Sequence, residues 1–166
     1  MNTRAATLLT CLGLLASSSG LASAQASRPT ETAKGRTVVV IVGVQDYQDP
    51  KIEDLSLAED DAQALHAFFA KDPRSRTSAE RVHLLVGKQA TRASVLKAIR
   101  EHLAGEALGA RDTAILYFAG RGISTASGGY LALSDTRVAD LKASGIAWSE
   151  LQALWRQVRA GRRLFL

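Results

Sequence analysis

Apolar positions along the chain follow two rhythms. "TVVVIVGV" (37–44) is a continuous β-branched run, the pattern of a strand buried on both faces. "LSLAEDDAQALHAFFAK" (55–71) places Leu57, Asp61, Leu65 and Phe68 at helical spacing. Ala58, Ala62 and Phe69 widen that stripe, and the segment predicts an amphipathic helix. "RVHLLVG" (81–87) predicts a second strand, and Thr91 is placed to cap a helix through "RASVLKAIREHLAG", ended by Gly105. "DTAILYFAG" (112–120) reads as a third strand and "GGYLALSD" (128–135) as a short extended segment. Ser149 is placed to cap "SELQALWRQVRA", with Gln152 three positions on completing a capping box. "RRLFL" (162–166) opens a fourth main strand. Strand and helix in alternation, with apolar central strands, predict a mostly parallel sheet covered by helices on both faces, a three-layer α/β/α domain.

The first residues stand outside that alternation. "MNTRAATLLTCLGLLASSSGLASA" carries one positive charge at Arg4, an apolar centre from Ala5 to Ala16, and the small-x-small close Ala22-Ser23-Ala24. These are the marks of a signal peptide, residues 1–24, cleaved after Ala24 or, in "AQA", after Ala26. The apolar stretch is too short for a membrane span. The expectation is an exported protein, periplasmic or secreted, with no membrane attachment after cleavage. Residues 25–36, "QASRPTETAKGR", read as a flexible leader, and residues 37–166 as the domain. Cys11 is the one cysteine of the sequence and leaves with the signal. The mature chain then has no disulfide, thiolate metal site or cysteine nucleophile.

In a parallel α/β sheet, ligands and chemistry lie outside the carboxyl ends of the strands. That puts Gly43 to Pro50, Gly87 and Gly120 to Ser124 on one rim. Nucleotide binding fails on these residues. "GVQDYQDP" lacks the glycine spacing that admits a pyrophosphate, and "VGKQAT" holds Gly-Lys without the rest of a phosphate loop. His66, His83 and His102 show no repeated ligand spacing, so no metal and no cofactor is expected. The net charge of +5 comes from scattered basic residues, which argues against a nucleic-acid partner.

The ordered segments "VVVIVGVQDYQDP", "LSLAEDDAQAL", "RVHLLVGKQATRASVLKAI", "DTAILYFAGRG", "GGYLALSDT" and "IAWSELQAL" resemble the caspase-like domain of bacterial clan CD cysteine peptidases, relatives of caspases and metacaspases. The resemblance runs from about Thr37 to Leu166. In that family the third strand ends in a segment like Tyr-Phe-Ser-Gly-His-Gly. Its histidine is the acid–base partner of a cysteine, and the following glycine amide helps to form the oxyanion hole. Tyr117, Phe118, Ala119, Gly120 and Gly122 fit this pattern, whereas Arg121 stands in the histidine place. The resemblance therefore implies Gly122 as the oxyanion-hole residue and leaves no intact catalytic residue. Arginine offers no lone pair and stays protonated, so it cannot exchange the protons a dyad requires. The family nucleophile lies about 50 residues after the histidine, which from Arg121 is past Leu166. "EDDA" resembles the Asn-Asp-Ala segment of metacaspase-like relatives, which implies a substrate-binding role for Asp61 toward a basic side chain. The bland alternative is that Asp60 and Asp61 only complement the dipole of a helix start.

Three accounts follow. One is an exported binding or scaffold module that has lost catalysis and takes a peptide or protein ligand. The second is an active cysteine endopeptidase whose nucleophile is encoded beyond residue 166. The third is a gene remnant. A domain incomplete in its fourth main strand leaves an apolar sheet edge exposed, and self-association through that edge is the further expectation.

Overall fold

The computed structural model describes residues 35–166. The expected signal segment 1–24, with its cleavage points and Cys11, and residues 25–34 of the leader lie outside the described residues.

The chain begins with β1 (Thr37–Gly43), followed by α1 (Ala58–Lys71) and β2 (Val82–Val86). Next comes α2 (Arg92–Ala98), which runs on as a π-helical stretch, Ile99–Ala104. Strand β3 (Thr113–Ala119) leads into a hairpin of β4 (Gly122–Thr125) and β5 (Gly128–Leu131). The remaining elements are α3 (Leu141–Ser144), β6 (Ile146–Ala147), α4 (Trp148–Trp155) and β7 (Arg162–Phe165). The main sheet has the order β2-β1-β3-β7 with every pair parallel. A second, antiparallel sheet has the order β4-β5-β6.

The β-branched run explains the centre of the molecule. Successive side chains of a strand point to opposite faces, and β1 is flanked by β2 and β3. Val38, Val40 and Val42 enter one core with Val95, Leu96, Ile99 and Leu103 of the second helical segment and Leu151 and Leu154 of α4. Val39 and Ile41 enter the other, with Ala62, Leu65 and Phe69 of α1. The expected three layers are therefore present, with β1 buried on both faces.

Helix α1 turns one side of the expected stripe, Ala58, Ala62, Leu65 and Phe69, inward and exposes the other. Ala58 and Ala62 are its buried residues, while Leu57, just before it, and Phe68 are 62% and 40% exposed. The reason is close approach. A Cβ on Gly43 would lie 2.7 Å from both the Ala58 carbonyl oxygen and the Ala62 Cβ. Only a small-residue face can come that near the end of β1, so Leu57, Asp61 and Phe68 turn toward solvent.

Of the remaining expectations, one holds with a change of geometry and another needs correcting. Thr91 does cap α2, accepting from the Ser94 amide, but the helix changes to π geometry at Ile99, and the Gly105 amide closes onto Arg100 O at 2.6 Å. Ser149 caps nothing: β6 passes directly into α4 at Trp148, and Ala147 is the cap residue without a side-chain bond. The first turn of α4 is tied instead by Glu150, whose carboxylate accepts from Arg92 Nη2 at 2.8 and 2.7 Å. The extended segment 128–135 is half strand, as β5, and half the loop that follows.

Candidate functional site

The rim at the carboxyl ends of β1 and β3 is built around the loop between β1 and α1. Tyr47, near the start of that loop, has its amide bonded to Asp54 Oδ1 at 2.9 Å. Gln48 donates its amide to Ser134 O at 3.0 Å, and Asp49 Oδ2 accepts from the Val138 amide at 2.7 Å. Hydrogen bonds from the Lys51 and Val138 amides hold the Asp49 carboxyl below its ordinary range. Buried Ile52 anchors the loop from beneath. The loop is thus fastened both to itself and to the chain that follows β5.

Gly120 and Arg121 leave β3 against this loop. A Cβ at Gly120 would meet Phe118 Cζ at 2.7 Å and the Tyr47 hydroxyl at 3.2 Å, so a side chain there would have to displace both rings. The Arg121 amide donates to the Tyr47 hydroxyl at 2.7 Å, and that hydroxyl donates to Val44 O at 3.3 Å. Burial pushes the Tyr47 phenol above its usual pKa, with the Arg121 amide acting the other way. The phenol therefore stays protonated at neutral pH and serves as a positioning group.

The Arg121 guanidinium folds back over the loop. Nε donates to Glu53 O at 3.1 Å, and Nη2 donates to Glu53 Oε2 at 2.9 Å and to Asp54 O at 3.4 Å. Its side chain is 37% exposed and that of Glu53 87% exposed. The arginine is a cation fixed at the end of β3 and half open to solvent. Arginine cannot act as a general base.

Gly122 begins β4, the edge of the small sheet. The ladder bond from the Ala132 amide to Arg121 O, 2.9 Å, makes Gly122 and Leu131 a non-hydrogen-bonded pair. The Gly122 amide is thereby turned away from β5. Beside it lies a groove of about 240 Å³ lined by Gly122, Ile123, Ser124, Tyr130 and Trp148, among others. Asp61 is exposed in the first turn of α1, near enough to Tyr117 of β3 for its charge to add to burial in raising that phenol's pKa.

The rim thus carries Arg121 with its neighbour Gly122, and Asp61 stands beside the same strand, β3. Glu53 and Asp54 were missed at the sequence level, and Tyr47, although inside the expected rim stretch Gly43 to Pro50, was not singled out. No local signal marks them, because their contacts with Arg121 span 74, 68 and 67 residues. Among the described residues no group of three or more His, Cys, Asp or Glu is placed to hold a metal ion. No helix among them is long and apolar enough to cross a membrane.

A parallel sheet between helical layers, with the candidate rim at the carboxyl ends of its strands, makes this a three-layer α/β domain. The caspase-domain family model matches residues 36–159, and the chain belongs to that family. Among solved structures, the chain is similar to the protein GSU0716 of Geobacter sulfurreducens, at 28% identity and a TM-score of 0.60. That alignment covers 78% of this chain and 48% of the other, so the chain corresponds to about half the length of its structural neighbour. No curated protein matches the chain.

Proposed function

We propose that this caspase domain no longer performs peptide hydrolysis through a cysteine–histidine dyad, and that its rim serves as an exported peptide-binding module. The observation that carries the reading is Arg121. It occupies the place of the family histidine, and its guanidinium is engaged with Glu53 and Asp54. A dyad needs a group that takes a proton from the thiol and returns one to the leaving amine near neutral pH. A guanidinium with a pKa above about 12 does neither. A fixed cation can favour a thiolate, but the return of a proton to the leaving group still has no agent. The same rim keeps features suited to holding a peptide: the outward Gly122 amide, the adjoining groove, and exposed Asp61 for a basic side chain.

The test is cleavage of fluorogenic peptides carrying Arg, Lys or Asp before the scissile bond, using the purified exported protein. No turnover is expected, because the Arg121 guanidinium neither takes a proton from a thiol nor returns one to a leaving amine near neutral pH. Turnover that is abolished by thiol reagents overturns the reading. Export is checked by intact mass, which should begin at Gln25 or, for the second cut, at Ser27.

A further inference from the structure

Three features lie at or next to the Arg121 turn along the chain: a cation, a backbone amide and a groove. Nε and Nη2 of Arg121 carry the bonds to Glu53 and Asp54, and Nη1 has no hydrogen-bond partner among the described residues. The neighbouring amide, that of Gly122, points away from β5 on an edge strand. The groove of about 240 Å³ beyond it is smaller than the roughly 300–1,000 Å³ of small-molecule sites, and suits a side chain of an extended segment. A cation, an unladdered backbone amide and a side-chain groove are the parts with which proteins capture a peptide terminus.

We propose that Arg121 and the Gly122 amide bind the C-terminal carboxylate of a peptide whose preceding residues lie along β4 and the Trp148 groove, and that Glu53 is an internal competitor for the same cation. The inference rests on the non-catalytic reading of the rim and names its ligand class. A planar carboxylate matches the arginine fork. The carboxylate already on Nη2 is that of Glu53, which is 87% exposed. An exposed ion pair of this kind contributes little to stability and is readily exchanged. Alternation along an antiparallel edge gives Ser124 the same outward orientation as Gly122, two residues on, so an incoming extended segment finds repeated backbone partners. Trp148 is 43% exposed and offers an apolar wall to the side chain that enters the groove.

The experiment uses fluorescence anisotropy with the purified protein and three pools of labelled heptapeptides, apolar at alternate positions and ending in lysine. One pool has a free C-terminal carboxylate, the second a C-terminal amide, and the third a C-terminal amide with glutamate before the lysine. The free-acid pool should bind about tenfold or more tightly than the amide pool. Glu53→Gln should tighten the free-acid pool several-fold, and Arg121→Gln should bring it to the level of the amide pool. Binding of the third pool as tight as the first moves the carboxylate to a side chain and overturns the terminal assignment. Equal affinity for all pools, no binding of any, or weaker binding by Glu53→Gln overturns the site itself. Should Arg121→Gln fail to fold, Glu53→Gln, on an exposed loop residue, decides alone. Each pool is recovered and weighed by mass spectrometry. Cleaved peptides refute the non-catalytic reading, whereas intact peptides bound without regard to charge refute only the carboxylate site.

Discussion

Asp112 fastens the chain just before β3. Its carboxylate accepts from the Arg36 amide at 2.7 Å, from Arg36 Nη2 at 2.8 Å and from the Gly109 amide at 2.9 Å. The Arg36 guanidinium, followed by the two amides, holds the Asp112 carboxyl well below the usual carboxylate range. A depressed folded-state pKa gives stability that is present above the unfolded value, about 3.9, and is lost as the pH falls below it. Urea midpoints at successive pH values should therefore decline below about pH 4. Asp112→Ala should lower stability at pH 7 by about 1–3 kcal/mol, the cost of donors left without a partner, and should show a smaller decline in acid. An unchanged midpoint at pH 7 would contradict the role given to this side chain. At this scale the sequence shows Arg121 plainly, because a charged residue between two glycines at a strand tip breaks the pattern around it. It does not show Glu53 or Tyr47, whose meaning depends on a fold that brings distant loops together.

Among the elements, β2 and the π-helical stretch meet through a pair that no spacing announces. The rings of His83 and His102 stack with centroids 3.4 Å apart and planes 9° from parallel. Burial, and then the charge of His102, lowers the His83 pKa, while Glu106 acts in the opposite direction. Here the folded state binds protons less readily than the unfolded chain. Its stability is complete above about pH 6.5 and is lost as the pH falls below that value. Melting temperatures should drop between pH 7 and 5, ahead of the carboxylate decline. His102→Phe keeps an aromatic ring but removes the like charge, the smaller of the two causes, and should reduce that first drop without abolishing it. An identical profile in the variant would refute the assignment.

The same contact shows what periodicity can and cannot report. Thr91 and Gly105 mark the ends of the helical segment correctly, but a change to i→i+5 bonding inside it alters no end signal. In α1 the apolar spacing fixes that a helix forms, not which side of the stripe it buries. That choice belongs to Gly43, Ala58 and Ala62, where a small strand residue meets small helix residues. At α4 the capping box is present in the sequence but unused, because β6 pairs with β5 up to the residue before the helix.

For the whole molecule, the layer order was legible because a central strand covered on both faces must be nearly continuously apolar, and the β1 and β3 segments both read that way after their first threonine. The small sheet was not, since β4 and β5 are four residues each and rich in glycine and serine. The two sheets nevertheless meet at the candidate rim, where β3 ends at Ala119 and β4 begins at Gly122. The position of Arg121 follows from that junction. Any thiol brought beside it would face a cation that neither accepts nor returns a proton.

Incubation with a peptidyl electrophile carrying a basic residue, followed by intact mass, tests this most directly. The account predicts no adduct that depends on folding: the native protein keeps its mass. An adduct that forms on the native protein but not on the unfolded chain, and is blocked by a competing basic peptide, would contradict it.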